Sequence, residues 1–181
     1  LWRSGDRGRA FAVAARHSNM GQGDARWVRI LALPDALLLF GYRSDSAGHT
    51  TIVNARYDGA TATALPMEHP LRAAFGLETL ALPDGGGIVR VAVREAAGLV
   101  HRVFRVRPDG AAARVEGLVG RRVLDASLYA PTGEVLLVTS DVDEYPGEVV
   151  LWSMRLEVTR DFETFQTLAT FDGDEAMRSV A

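Results

Sequence analysis

The stretch Ser4-Gly-Asp6-Arg-Gly8-Arg-Ala-Phe11, SGDRGRAF in one-letter code, decides how the chain folds. Its serine and aspartate side chains can hydrogen-bond to nearby backbone N–H groups, and its second glycine can adopt a positive φ. The aromatic ring of Phe11 can then pack on the strand that follows. We therefore predict a tight structural turn between two antiparallel strands.

Three looser copies of this turn follow at a nearly constant period. They are Arg56-x-Asp58-Gly59, Arg107-x-Asp109-Gly110 and Thr159-x-Asp161 with Phe165. The four aspartates, counted from Asp6, are 52, 51 and 52 positions apart. A second marker, LALPD at residues 31–35 and 80–84, returns more loosely as LYAPTG at residues 128–133. Self-similarity at a period near ~50 residues is typical of β-propellers and repeat arrays.

Each repeat divides into four short strands, labelled a to d, by its alternation of apolar side chains, its β-branched content and its turn residues. Residues 1–4 and 11–15 predict the last two strands of a preceding repeat, and a helical turn is expected only at 70–75. The predicted strands are 28–33, 36–43, 50–57 and 61–65 in the first complete repeat, 77–82, 88–94, 100–106 and 112–115 in the second, and 123–129, 134–139, 149–158 and 165–171 in the third.

The turn and its period resemble the Asp-box, or BNR repeat, of the sialidase-like β-propeller superfamily, with Phe11 where that motif usually has Trp. The resemblance implies an all-β fold, a β-propeller fragment of about three and a half four-stranded antiparallel blades with Asp-box-like c–d turns. A four-bladed ring closed by the two chain ends and a two-sheet β-sandwich are the alternative architectures. The structural turn positions are Ser4, Asp6, Gly8, Phe11, Asp58, Gly59, Asp109, Gly110, Asp161 and Phe165.

The predicted domain organisation is a single β-propeller segment over residues 1–181. It comprises the end of a blade and a connection at 1–27, blades at 28–76, 77–122 and 123–171, and the start of another blade or a tail at 172–181. The chain opens with Leu1 inside a repeat, so we expect a fragment of a longer protein.

Composition narrows the class of protein. The chain has 181 residues, 48% of them hydrophobic, which suits one soluble domain with a packed core. All 20 basic residues are Arg, but the net charge of −3 gives no basic excess of the kind that nucleic-acid binding requires. The absence of Cys excludes disulfides and Cys-based metal sites, and no apolar run is long enough for a membrane span. The composition does not identify the cellular compartment, and it is compatible with a secreted or periplasmic location.

The expected topology separates the structural turns from the loops that could form a binding site. In a meandering blade the a–b and c–d turns lie on one face, and the b–c loops and d–a connections lie on the other. Arg43 and Arg94 end the b strands of successive repeats, and Arg121 and Arg122 lie in a d–a connection, so all four belong to the second face. A planar guanidinium binds a carboxylate through two parallel hydrogen bonds, which makes these arginines the predicted ligand-binding residues.

Sialidases of this fold bind a carboxylated sugar with an arginine triad, and use a Tyr activated by a Glu as nucleophile and an Asp as general acid/base. By loop position the resemblance implies Tyr145 with Glu144 as the nucleophile pair and Asp45 as the acid/base. Two features depart from the family pattern. Residues 29–31 read Arg-Ile-Leu in place of Arg-Ile-Pro, and Glu144 and Tyr145 are adjacent although the family's pair comes from separate blades.

The acidic stretch Asp141-Val-Asp143-Glu144 offers carboxylates for glycosidase acid/base chemistry or for calcium, but it supplies no complete set of about six oxygen ligands. His17, His49, His69 and His101 never form a close metal-ligand pair, so neither a metal nor a cofactor is predicted.

The sequence thus favours a carbohydrate-directed protein that binds or hydrolyses glycans, an exo-sialidase-like glycoside hydrolase if it is an enzyme. The alternative is a non-catalytic interaction or assembly scaffold. Its partners would be a glycan or a protein, the remaining blades of a longer chain, or a second copy.

Overall fold

A computed structural model of the chain describes residues 2–3, 12–13, 24–96, 98–119, 121–129, 131–145 and 148–172. This part of the chain contains fourteen β-strands and one short 3-10 helix at Glu116–Leu118. The strands are β1 Trp2–Arg3, β2 Ala12–Val13, β3 Asp24–Ala32, β4 Leu37–Ser44, β5 Thr50–Tyr57, β6 Ala62–Ala64, β7 Ala74–Ala81, β8 Gly87–Glu95, β9 Gly98–Val106, β10 Ala112–Arg114, β11 Arg121–Tyr129, β12 Glu134–Tyr145, β13 Glu148–Thr159 and β14 Gln166–Asp172.

Twelve of these strands form three antiparallel sheets of four. Sheet one contains β3–β6, sheet two β7–β10 and sheet three β11–β14, each with its strands hydrogen-bonded in sequence order. The all-β class and the four-stranded antiparallel repeat are therefore confirmed. The short strands β1 and β2 pair antiparallel, with Trp2 opposite Val13. Ser4, Asp6, Gly8 and Phe11, on which the strongest turn prediction rests, lie outside the described residues.

The sheets bury apolar side chains against one another. Because successive strand residues point to opposite faces, β8 sends Val89 and Val91 into one buried cluster with Phe40 of β4, and Ile88 into another with Leu137 of β12. Strand β7 lies against β3, β4 and β5, and β11 lies against β7 and β9. Sheet two is thus packed on both faces, between sheets one and three.

The turn aspartates of the repeat accept hydrogen bonds from the backbone of their own turns. Asp58 Oδ1 accepts from the N–H groups of Ala60 and Thr61 at 2.9 and 2.8 Å. Gly59 has a φ of 100°, a left-handed conformation that favours glycine. The equivalent Gly110 has a φ of 87°, and Asp109 Oδ1 accepts from the N–H of Ala111 at 2.9 Å.

The third copy of the turn is the most densely hydrogen-bonded. Asp161 Oδ1 accepts from the N–H groups of Glu163 and Thr164 at 2.9 and 2.8 Å. Phe162 takes the left-handed conformation, with a φ of 63°. Phe165 packs against the cluster between sheets two and three, so an aromatic ring is anchored beside this turn.

Arg56 connects sheet one to sheet two. Its Nη2 donates to Asp35 Oδ1 at 3.0 Å, in the β3–β4 turn of its own sheet. Its Nη1 donates to the carbonyl oxygen of Asp109 at 3.3 Å, in the β9–β10 turn of the next sheet.

Arg105 connects sheet two to sheet three in a related way. It lies opposite Ile88 in the strand register, as Arg56 lies opposite Leu38. It pairs with Asp84 of the β7–β8 turn, and its guanidinium carbon lies 5.9 Å from the centroid of the Phe162 ring in the β13–β14 turn. Arg56 and Arg105 therefore connect neighbouring sheets and do not belong to a solvated surface.

Three local predictions were wrong. Residues 140–145 were expected in a loop but continue β12, and Arg121 and Arg122 were expected in a connection but begin β11. Residues 67–73 form successive turns, with Arg72 N–H donating to the His69 carbonyl at 2.9 Å, but the described 3-10 helix lies at Glu116–Leu118, where no helical turn was expected. No helix in the described ranges is long and apolar enough to cross a membrane.

Candidate ligand-binding cleft

A cleft of about 90 Å³ opens between sheets two and three and is lined by three arginines, one histidine and four aliphatic residues. We call it the arginine cleft. Its lining residues are Leu77, Arg90, His101, Arg102, Val103, Arg121, Val123 and Leu124. Of these, the sequence prediction included only Arg121.

Strand register places Arg90, His101 and Val103 on the face of sheet two that is turned toward sheet three, whereas Arg102, opposite Val91, alternates to the other face. Arg90 of β8 lies opposite Val103 of β9, so both point toward sheet three. Arg90 donates from Nη1 to the Val123 carbonyl oxygen of β11, and its Nη2 forms an ion pair with Glu78 of β7. Arg90 therefore both lines the cleft and joins the two sheets.

Arg121 binds a carboxylate that belongs to the protein itself. Its Nη1 lies 2.6 and 2.8 Å from the two carboxylate oxygens of Glu157. Glu157 is only 2% exposed and accepts a further hydrogen bond of 2.6 Å from Thr139 Oγ1. A buried carboxylate needs such partners because burial without them is costly. Arg121 thus neutralises a core charge at the edge of the cleft.

Of the remaining predicted clamp residues, only Arg43 has a described side chain, and it does not line this cleft. Arg43 lies near the end of β4 in sheet one, opposite Ala25 and Thr51. Arg94 and Arg122 have their backbones in β8 and β11, but their side chains lie outside the described part of the structure.

The same limit applies to the predicted nucleophile pair. Glu144 and Tyr145 end β12, where they lie opposite Val149 and Glu148, and their side chains lie outside the described part. Their role stays a prediction.

Asp45 organises its own loop. Its Oδ1 accepts from the N–H groups of Ala47 and His49, both at 2.9 Å, and Oδ2 lies 3.0 Å from His49 Nδ1. The backbone and side-chain hydrogen bonds from His49 lower the pKa of Asp45 below its usual value. A general acid at neutral pH requires a raised pKa, so these contacts favour a loop-capping role.

The size of the arginine cleft limits what it can hold. Its volume of about 90 Å³ compares with roughly 300–1,000 Å³ for pockets that enclose drug-sized ligands. The enclosed part of the cleft therefore suits an acidic substituent of a larger ligand better than the whole ligand.

In the portion of the chain that the structure describes, no three His, Asp or Glu side chains are grouped as they would be around a metal ion. No protein-family model matches the sequence, and no curated protein matches it closely enough to indicate common descent.

Proposed function

We propose that the chain is a segment of an Asp-box, sialidase-like β-propeller and that it binds an acidic glycan through the arginine cleft without hydrolysing it. Three successive four-stranded meanders, each packed on the next, support the propeller architecture. The repeated aspartate turns of β5–β6, β9–β10 and β13–β14 support the Asp-box resemblance.

The observation that carries the binding proposal is the grouping of Arg90, His101 and Arg121 around one cleft. Guanidinium groups bind carboxylates through paired, charge-assisted hydrogen bonds. A sugar with one carboxylate could insert that group between sheets two and three while its ring rests at the rim. The small volume of the cleft suits this arrangement.

One feature favours binding over hydrolysis: Asp45, the predicted acid, has a lowered pKa because His49 donates hydrogen bonds to it. The alternative role is a non-catalytic interaction or assembly scaffold without a glycan ligand. The Arg121–Glu157 pair favours it, because Arg121 there stabilises the fold by binding the protein's own carboxylate.

The test is a titration of ¹⁵N-labelled protein with N-acetylneuraminic acid, followed by amide chemical shifts, with galactose as the neutral comparison. We expect shifts in residues 101–103 and 121–124 with the acidic sugar only, and weaker binding at high salt. Arg90→Gln should reduce the affinity. Arg107→Gln, in the exposed β9–β10 turn, removes one positive charge outside the cleft and should leave the affinity unchanged.

Equal shifts with galactose, or no shifts with either sugar, would overturn the glycan proposal and leave the scaffold role. Release of the fluorophore from a fluorogenic sialoside, above the rate without protein, would overturn the non-catalytic part.

A further inference from the structure

Aspartate is followed by glycine in several turns of the chain. An Asp-Gly pair can rearrange without an enzyme, because glycine has no side chain to hinder attack of its backbone nitrogen on the aspartate Cγ. The product is isoaspartate, in which the backbone runs through the former side-chain carboxyl. Three such pairs lie within the described residues, and a fourth, at 172–173, extends outside them; the three are Asp58-Gly59, Asp84-Gly85 and Asp109-Gly110.

The three turns hold the aspartate side chain in the same way. Oδ1 of Asp58, Asp84 and Asp109 each accepts a hydrogen bond of 2.9 Å from the N–H group two residues further on. This bond closes a ring that contains both the aspartate Cγ and the glycine nitrogen, so it keeps the two atoms on the same side of the backbone. The position of the carboxyl therefore does not separate the three pairs.

The glycine nitrogen is the atom in which the pairs differ. Gly85 N–H donates to the Leu82 carbonyl oxygen at 3.0 Å, and Gly110 N–H donates to the Arg107 carbonyl oxygen at 2.9 Å. Within the described residues, Gly59 N–H donates to no acceptor of the protein. An amide nitrogen must release its proton to attack a carbonyl carbon, and a hydrogen bond to a carbonyl oxygen holds that proton in place. Gly59 therefore has the least restrained nitrogen of the three.

Packing separates the pairs in the same direction. A methyl group at Gly85 would lie 3.0 Å from Pro34 Cγ. A methyl group at Gly110 would lie 2.6 Å from Arg56 Nη1, so residues of sheet one cover both glycines. Gly59, in the β5–β6 turn of sheet one, is exposed, and no protein atom lies within 4 Å of the same position. The attack needs such space, because Cγ becomes tetrahedral as it bonds to the backbone nitrogen.

We propose that Asp58 is a site of spontaneous modification, converting to isoaspartate in the folded protein through a succinimide formed with Gly59. The Asp58 carboxylate first takes up a proton from solvent. The Gly59 nitrogen then loses its proton and bonds to Cγ, while a carboxyl oxygen leaves as water. Water next adds to one of the two ring carbonyls. Opening at the α-carbonyl gives isoaspartate, and opening at Cγ restores aspartate, so the mass of the protein is unchanged.

Protonation of the carboxyl does not reverse this order. The backbone N–H of Thr61 lowers the pKa of Asp58, and the backbone N–H of Ala111 lowers the pKa of Asp109. Both reactions are slowed for the same reason, and the free nitrogen of Gly59 still separates them. The inference does not depend on ligand binding in the arginine cleft.

The product would loosen the β5–β6 turn. Asp58 Oδ1 accepts from the N–H groups of Ala60 and Thr61 at 2.9 and 2.8 Å. Isoaspartate adds one carbon to the backbone of the turn and moves its free carboxylate to the α-carbon, so these two hydrogen bonds are lost. Aged protein should therefore unfold at a lower urea concentration than fresh protein.

Ageing of the folded protein in mildly acidic buffer, followed by proteolysis and mass spectrometry, tests the proposal. Electron-transfer fragmentation distinguishes isoaspartate from aspartate at each site, and an unaged sample corrects for isoaspartate formed during digestion. We expect isoaspartate to accumulate faster at residue 58 than at residues 84 and 109. In urea the turns are lost, so the three sites should react at similar rates.

Gly59→Ala is the matched variant, because its methyl group hinders the attack and the space around residue 59 admits it. It should suppress isoaspartate at residue 58 and leave the rates at residues 84 and 109 unchanged. If circular dichroism shows that this variant does not fold, the comparison of the three sites within the wild type decides. Equal rates at the three sites of the folded protein, or no isoaspartate at residue 58, overturns the proposal.

Discussion

Arg121 Nη1 lies within 2.8 Å of both carboxylate oxygens of Glu157, a side chain that is 2% exposed. The two residues are 36 positions apart, on β11 and β13, and the strand between them contributes Thr139 to the same carboxylate. One buried charge is thus satisfied from three adjacent strands of sheet three. Glu157 ties the first strand of this sheet to its interior.

Arg121→Met should lower the free energy of unfolding by about 3 kcal/mol, because it leaves the Glu157 carboxylate buried without its counter-charge. The double variant Arg121→Met/Glu157→Met should recover most of that loss, since it removes the charge together with its partner. Urea unfolding of the two variants measures the difference. A double variant no more stable than the single one would contradict this account of the pair.

Asn54→Asp should be destabilising and should make stability depend on pH. Asn54 is fully buried in β5, and its Nδ2 donates to the Ala74 carbonyl oxygen at 2.5 Å, at the start of β7. An ionised Asp would place negative charge next to that carbonyl oxygen, and we expect this to lower the free energy of unfolding by about 3 kcal/mol.

Burial would raise the pKa of the introduced carboxyl, so the folded state would bind its proton at a higher pH than the unfolded chain. The variant should then lose stability as pH rises above about 4, the usual pKa of aspartate in an unfolded chain, and through the raised pKa of the folded state. Asn54→Ser, which keeps a neutral donor, is the control and should show no such slope. If the unfolding free energies of the two variants had the same pH dependence, this result would contradict the buried Asn54–Ala74 contact.

Alternation and turn residues predicted the three sheets because each strand buries apolar side chains at every second position, as Val89 and Val91 do in β8. The continuation of β12 through residue 145 was missed. Strand pairing uses backbone groups, so polar side chains do not prevent it. Asp141 Oδ2 accepts a hydrogen bond of 2.5 Å from Arg155 Nη2 on the neighbouring strand β13. Such a partner is set by register and is not visible in local composition.

The arginine cleft was missed for a related reason. Arg90 and Arg102 lie in the middle of strands, where an arginine in a sequence resembles a solvated face. Only the packing of β11 against sheet two turns them into the wall of a cleft with Arg121. Arg43 drew attention because it ends a strand beside a loop, and loops carry most binding sites, but it belongs to a different sheet.

Gly76→Ala should be more destabilising than Gly59→Ala. A Cβ at residue 76 would lie 2.6 Å from Phe40 Cβ and 2.7 Å from Phe40 Cγ, so β7 or β4 would have to move. Overpacking of this kind costs about 1–3 kcal/mol. Gly59 has a φ of 100° and open space around the new methyl group, so Gly59→Ala reports backbone strain alone, about 1 kcal/mol.

Thermal and urea unfolding of the two glycine variants give the comparison. A Gly76→Ala protein as stable as the wild type would mean that sheets one and two do not approach as closely as Gly76 and Phe40 do here.

The turn aspartates should make the protein lose stability in acid. Hydrogen bonds from the backbone of Thr164 and Glu163 lower the pKa of Asp161 to about 2, and the pKa values of Asp58 and Asp109 are lowered by similar backbone contacts. In the unfolded chain an aspartate titrates near ~3.9. The folded state therefore binds fewer protons between these values, and the stabilisation is complete above about pH 4 and is lost as pH falls toward about 2.

Asp161→Asn should reduce the slope of unfolding free energy against pH in this window, because the amide oxygen still accepts but does not titrate. It should also lower stability at neutral pH, since the neutral oxygen is the weaker acceptor for the turn. Glu163→Gln is the matched control: it removes a negative charge from the same turn but leaves the accepting carboxylate in place. Urea unfolding at pH values from about 4 to about 2 should separate the two variants, and equal slopes would show that the Asp161 turn is not the source of the acid sensitivity.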